Sequence, residues 1–253
     1  MIKVVVLGAG NVGTHLCHVF EKNNKVLLLQ NYNRKGQPVL NSNIPVTNQL
    51  SNIASAEVYV VTYNDNALWE VAPVLKTLEG LVVHTSGATP MNVFNTLNNY
   101  GVFYPLQSFN KSIPVNFSTI PIAVEANNKQ NEALLWHLAE SISSQVYKIN
   151  SEQRNALHVA AVFANNFSNF MFTQAKNVCN DFGIDFQILK PLITKTIMKM
   201  ESLDPENRQT GPAIRNDLKT IERHVNTLKQ NQQIEIYTTL TKAIQEYYRI
   251  DNK

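Results

Sequence analysis

Val4-Val5-Val6-Leu7-Gly8-Ala9-Gly10-Asn11-Val12-Gly13 decides the fold of this chain. A run of β-forming residues leads directly into a GxGxxG string, and the residues after it, 12–21, carry apolar positions at helical spacing. Strand, glycine turn and helix in that order form the first unit of a dinucleotide-binding sheet. Gly8 permits the tight turn, Gly10 lets the backbone approach a pyrophosphate, and Gly13 lets helix and strand pack closely. The phosphates would rest on backbone N–H groups at the helix N-terminus, which makes Gly8, Gly10, Asn11, Val12 and Gly13 candidate cofactor residues. The competing reading is a glycine-rich turn that holds no ligand.

About 20 residues further on, at the end of the second strand, sites for NAD or FAD usually place an acid on the ribose hydroxyl. This chain has Asn31-Tyr32-Asn33-Arg34-Lys35 there. Such a polar and basic strand end suits a 2′-phosphate, which Arg34 can grip with two parallel hydrogen bonds beside Asn33. The expected cofactor is therefore NADP(H), with NADPH preferred over NADH by at least about tenfold, or about 1.4 kcal/mol. A solvated loop that is basic by chance is the alternative. The missing acid also argues against a methyltransferase or a flavoprotein.

Outward from this motif, strand-like and helix-like segments alternate to about residue 150, the pattern of βαβ units with a parallel sheet. Strands are expected at 3–7, 26–30, 57–62, 81–84, 102–104 and 120–125, and helices at 12–21, 67–77 and 131–141. From Ser151 the β-branched runs vanish and helix-period segments take over. Ser151-Glu152 reads as the start of a helix to about residue 180 that Gly183 ends, with further helices at 186–203, 217–230 and 234–249. The expected fold class is α/β Rossmann, a doubly wound and mostly parallel sheet, followed by an all-α C-terminal domain. Residues 1–150 would bind NADP, and residues 151–253 would form a helical substrate and dimerisation domain.

Composition bounds the function classes. At 253 residues, 44% hydrophobic and 16% charged, the chain has the make-up of an ordinary globular protein with a full core. Its net charge of +3 is spread among scattered lysines and arginines, which gives no support to nucleic acid or a membrane surface as partner. No run approaches the roughly 20 apolar residues that span a bilayer, and the apolar start is too short for a signal peptide. Cys17 and Cys179 are far apart, with neither disulfide nor metal-ligand spacing, so no metal is expected and a cytoplasmic location fits. Small metabolites are the default partners.

In a doubly wound sheet, ligands sit outside the C-terminal ends of the strands. Tyr63-Asn64-Asp65 follows one strand and His84-Thr85-Ser86-Gly87 the next. Tyr63, Asn64 and Asp65 are thus cofactor candidates, while His84 and Ser86 are substrate candidates. Asn64 and Asp65 read equally well as helix caps, and His84 as a structural histidine. On the long helix, His158, Asn165 and Asn169 fall within a narrow arc at about 3.6 residues per turn, with Asn166 nearby and Phe163, Phe167 and Phe170 pointing elsewhere. Such a polar stripe is costly to bury unless it is satisfied or functional. Histidine suits proton transfer because its ordinary pKa of about 6.5 gives access to either proton state near neutrality. His158 is the candidate proton donor or polariser, with Asn165 or Asn166 in support. After Thr210-Gly211-Pro212, Arg215 could hold an anionic substrate, and Asp217 could cap the next helix.

Several of these stretches together resemble one bacterial family: the glycine string, His84-Thr85-Ser86-Gly87, Tyr104-Pro105-Leu106-Gln107-Ser108-Phe109, residues 157–167, and Thr210-Gly211-Pro212-Ala213-Ile214-Arg215. In that family a Rossmann-like domain precedes a helical domain of unknown function (domain of unknown function 2520), and members are often labelled NADP oxidoreductases. The resemblance covers essentially the whole chain. More distantly, the chain is similar to pyrroline-5-carboxylate reductases, 3-hydroxyisobutyrate dehydrogenases and deazaflavin-dependent NADP reductases. The resemblance implies a cleft between the domains, a homodimer built on the helical domain, and Gln107 among the substrate residues. Many members read His-Pro-Leu-Gln where this chain has Tyr104-Pro105-Leu106-Gln107, so a proton-transfer role does not carry over to Tyr104. Hydroxyacid dehydrogenases place a lysine where this helix offers His158, and their mechanism does not carry over either. The expected activity is hydride transfer between NADP(H) and a small C=O or C=N substrate. The alternative is a non-catalytic NADP(H)-binding redox sensor or assembly factor.

Overall fold

In the computed structural model, which describes residues 1–198 and 204–249, the opening apolar run is strand β1 (Ile2–Leu7). It pairs in parallel with β2 (Val26–Tyr32) on one side and β4 (Val58–Val61) on the other. With β3 (Val46–Thr47), β5 (Leu81–His84), β6 (Tyr100–Pro105), β7 (Ile122–Ala126) and β8 (Val146–Lys148), they form one sheet of order β3-β2-β1-β4-β5-β6-β7-β8. This is the doubly wound, mostly parallel Rossmann sheet that the sequence implies. The exception is β7, which runs antiparallel to β6. The connection between those two strands contains no α-helix to carry the chain back across the sheet, so the strand returns in the opposite sense.

Helices cover both faces of the sheet, which is why Val4-Val5-Val6-Leu7 is a continuous apolar run instead of an alternating one. Val4 and Val6 pack with Leu16, Cys17 and Phe20 of α1 (Asn11–Glu21). Val5 and Leu7 pack with Leu68 of α2 (Asp65–Val71) on the other face. Leu135 and Leu138 of α3 (Lys129–Glu140) extend the first of these clusters. The helix expected at 67–77 breaks after Val71, because Pro73 has no N–H to donate and its ring crowds the preceding turn; Val74–Thr77 continues as a 3-10 turn.

The chain packs as two units, Met1–Ala161 and Val162–Lys253. Composition changes at Ser151, where α4 (Ser151–Ala161) begins, and α4 belongs with the first unit, into which Arg154 is buried. The second unit starts with a π-helical stretch, Val162–Phe167, followed by α5 (Ser168–Asp181), α6 (Lys190–Met198), α7 (Leu218–Thr227) and α8 (Asn231–Arg249). Gly183, at φ 66°, ends the α5 segment as expected, with the Ile184 N–H donating to the Cys179 carbonyl at 2.9 Å. Asp217 caps α7 by accepting the Thr220 N–H at 3.1 Å, and its hydrogen bonds to Thr220 hold its carboxyl below the usual range. The expected helix end near 203 lies outside the described residues. The π stretch breaks the uniform spacing of about 3.6 residues per turn on which the arc counted from His158 rests. Asn165, Asn166 and Asn169 are exposed, as are Phe163, Phe167 and Phe170. No helix among the described residues is long and apolar enough to cross a membrane.

Candidate functional site

At the end of β1 the chain turns at Gly8, whose φ of 117° strains any side chain. Space forbids one as well. A Cβ on Gly8 would sit 2.4 Å from the Thr62 hydroxyl, and one on Gly13 would sit 2.3 Å from the Gly8 carbonyl. Gly10 faces open space, which leaves its backbone approachable from outside. The turn is held from beneath by Asn31, a residue that sequence reasoning missed as a site element. Asn31 is fully buried at the end of β2 and donates to the carbonyls of Val6 at 3.0 Å and Gly8 at 2.9 Å. Asn33 lies on the same strand face; its amide donates to Asn31 at 3.0 Å and to the Gln37 carbonyl at 2.9 Å, and it accepts the Gln37 N–H at 3.2 Å. The Asn33 side chain therefore shapes the loop, and Asn33 also lines the groove over the glycine turn. The two-residue spacing of the asparagines was the available signal.

A groove of about 390 Å³ opens over the glycine turn, lined by Gly8, Gly10, Thr14, Arg34, Lys35 and Lys111 among others. A neighbouring hollow of about 350 Å³ shares Arg34 and Tyr63 with it and adds the apolar surfaces of Leu50, Ala67 and Val71. A glycine turn with no room for Cβ atoms at Gly8 and Gly13, a helix N-terminus and three cations suit a phosphorylated ligand, and the apolar hollow suits its base. Burial pushes the Tyr63 phenol above its ordinary pKa, with Tyr32 adding to the shift and Arg34 opposing it. Asn64 caps α2 by accepting the Ala67 N–H at 2.9 Å, and Asp65 is exposed in the first turn of that helix.

A second cluster forms where β5 and β6 end. His84 is fully buried, 5.6 Å from Phe94 between ring centroids in an edge contact, and its Nδ1 accepts the Ser86 N–H at 3.2 Å. Nε2 is buried near the Pro90 carbonyl without a well-formed hydrogen bond. Burial, reinforced by the Arg154 charge, lowers the His84 pKa from 6.5 to about 3. With no exposed surface, His84 supports the turn from inside and does not meet a substrate directly. The Ser86 hydroxyl accepts the N–H groups of Ala88 at 3.2 Å and Thr89 at 2.9 Å, closing the same turn. Gly87 has no space for a side chain: its Cβ would lie 2.7 Å from Nδ1 of His158 and 2.8 Å from the Tyr104 ring.

Above Gly87, the Tyr104 hydroxyl and Nδ1 of His158 are 3.2 Å apart, with their rings edge to face. Burial raises the Tyr104 pKa, so the phenol keeps its proton at neutral pH. One helical turn before His158, the buried Arg154 pairs with Glu125 and donates to the Thr89 carbonyl at 2.7 Å and the Ser151 hydroxyl at 3.3 Å. Glu125 also accepts the Ser151 hydroxyl at 2.8 Å. This network pins α4 to β7 and to the 84–89 turn, and so sets His158 against Tyr104. Sequence reasoning missed Arg154 and withheld a role from Tyr104; the four-residue spacing of Arg154 and His158 was the one signal available. Gln107 is exposed, its side-chain oxygen accepting the Ser108 N–H at 2.8 Å. Asn165, Asn166 and the exposed Arg215 belong to the second unit, Arg215 on the loop before α7.

Residues 120–244 match the family model described as "Domain of unknown function (DUF2520)". A Bacteroides fragilis protein assigned as an NADP oxidoreductase is 34% identical, with 97% of this chain and 98% of that chain covered and a TM-score of 0.88. The chain belongs to this family of Rossmann-like NADP oxidoreductases. Beyond the family the fold recurs at low identity. Plasmodium falciparum pyrroline carboxylate reductase with NADP bound is 15% identical, covering 96% of this chain and 98% of that chain, with a TM-score of 0.63. An imine reductase from Myxococcus stipitatus in complex with NADP+ is 12% identical, covering 98% and 93%, with a TM-score of 0.66. No match is found among the curated proteins.

Proposed function

We propose that this oxidoreductase moves a hydride between NADP(H) and a small C=O or C=N substrate, with the proton handled by His158 and Tyr104. The observation that carries this reading is the Tyr104 and His158 pair, 3.2 Å apart, at the same end of the parallel strands as the glycine turn. NADP(H) is the cofactor, and its nicotinamide supplies the hydride chemistry when bound. The backbone of Gly8, Gly10, Asn11, Val12 and Gly13 holds its pyrophosphate, and Arg34 holds its 2′-phosphate. Tyr104, kept protonated by burial, donates its O–H to Nδ1 of His158, which places the imidazole proton on Nε2. From Nε2 the ring polarises the acceptor, and as it gives that proton to the atom that gains charge, Nδ1 takes the Tyr104 proton in exchange and the phenol is reprotonated from solvent.

The same reading includes a homodimer in a reducing cytoplasm. Apolar side chains left exposed in the second unit favour the first, and two unpaired buried cysteines agree with the second. Oxidation of NADPH with a panel of imines, ketoacids and deazaflavins tests the function. Turnover with at least one of them is expected. Tight NADPH binding with no turnover on the whole panel would overturn the enzymatic reading in favour of a redox sensor or assembly factor.

A further inference from the structure

The connection between β6 and β7 does more than join them, because three contacts tie it to α1. Nε2 of His15, on the buried side of α1, is 2.9 Å from the Asn110 carbonyl, and the Asn11 side chain accepts the Lys111 N–H at 3.3 Å. Phe109 is wedged between His15 and Phe117, at centroid distances of 5.4 and 5.9 Å. The Asn110 side chain accepts the Ser112 N–H at 3.0 Å and closes the bend from within. The loop is thereby strapped across the start of α1, and Lys111 joins Gly8, Gly10 and Arg34 in lining the groove.

We infer that Lys111 is a ligand of the cofactor's pyrophosphate, brought there by the strap, with Asn11 and His15 as its positioning residues. The inference rests on reading the groove as the NADP(H) site. Its tie point assigns the phosphate: Asn11 is the first residue of α1, directly after the glycine turn, whereas Arg34 stands beyond the end of β2. Lysine suits this place. A compact ammonium on a flexible stem meets the diffuse charge of a pyrophosphate without needing the planar fit that an arginine gives a terminal phosphate. The strap also supplies a side-chain function to Asn11 that differs from direct contact with the cofactor.

Fluorescence titration of the full chain with NADPH and with NADH, at low and high salt, tests this alongside melting temperature. Lys111→Ala is expected to weaken both nucleotides by a similar factor, about tenfold, as loss of a charge-assisted contact does. The NADPH to NADH ratio stays that of the wild type, Lys111→Arg recovers most of the loss, and the deficit shrinks at high salt. Arg34→Ala should instead collapse the ratio. Asn11→Ala should weaken binding in the wild-type background but add nothing to Lys111→Ala. Unchanged affinity in a folded Lys111→Ala protein overturns the inference, and so does a loss confined to NADPH, which would move the lysine to the 2′-phosphate. A wild-type protein that binds neither nucleotide would overturn the cofactor reading itself.

Discussion

His84 has no exposed surface and is held neutral by burial, whereas His158 is half-buried and faces a phenol. That contrast in environment sets the two histidines to different work. Between its folded pKa of about 3 and its ordinary value of 6.5, His84 takes up a proton only when the chain unfolds. The unfolded state then binds more protons, so stability rises with pH up to about 6.5 and this contribution is flat above it. Urea unfolding from about pH 6.5 down to about pH 4.5 should cost the wild type roughly 2 kcal/mol more than His84→Asn, since each pH unit is worth about 1.4 kcal/mol. Equal slopes would show that His84 is protonated in the fold. For His158, alanine substitution should lower turnover by roughly 100-fold while NADPH affinity and melting temperature hold. Tyr104→Phe removes the hydroxyl that sets the imidazole tautomer and should cost about tenfold, a smaller loss than removing the acid itself. Normal turnover per folded His158→Ala molecule would refute the catalytic role. If His158 were a purely structural histidine, the melting temperature would fall instead.

At the scale of elements, α4 is docked by one buried ion pair. Arg154 has a side chain 1% exposed, and its partner Glu125, at the end of β7, is 16% exposed. A buried pair adds little net stability when intact, yet removing one partner strands the other charge. Arg154→Ala should therefore destabilise the protein by about 3–5 kcal/mol, and Arg154→Met with Glu125→Leu should recover much of that loss in urea unfolding. If the single and double variants unfold alike, the pair is not what fixes α4. The same elements mark the reach of sequence reasoning. The strands β1, β2, β4, β5, β6 and β7 were legible because each carries an apolar run, while β3 and β8 have two and three residues and show no period. The π stretch at Val162–Phe167 was not legible, since nothing local distinguishes i→i+5 from i→i+4 bonding, and it undid an angular argument that assumed a uniform helix. At the site, the glycine string carries its meaning locally. Tyr104 gains its significance from a residue 54 positions away, and Arg154 from contacts with Thr89 and Glu125, so neither role can be read from neighbours in sequence.

The whole molecule raises the question of what covers its second half. Among the described residues from Val162 onward, Cys179, Ala213 and Gln233 are buried, while Ile188 is 69% exposed, Leu192 63%, Met198 64% and Phe163 65%. Residues 1–161 by contrast bury two full clusters against the sheet. Large apolar side chains contribute about 1.5–3 kcal/mol each when removed from water, so a helical unit that leaves this many in solvent lacks much of its own driving force for folding. We expect a second copy of the same unit to cover these side chains, because a closed two-fold pair buries the same patch on both chains. Light scattering on a sizing column should therefore report twice the 28.5 kDa chain mass at micromolar concentration. Ile188→Glu with Leu192→Glu should shift the protein to monomer and lower its melting temperature, because losing the interface removes part of the core of the helical unit. The Rossmann unit would keep its NADPH groove in that variant, so nucleotide titration separates loss of assembly from general unfolding. A wild-type chain that is monomeric at micromolar concentration, with an unaltered melting temperature in the double variant, would show that the helical unit is stable with its apolar face in water.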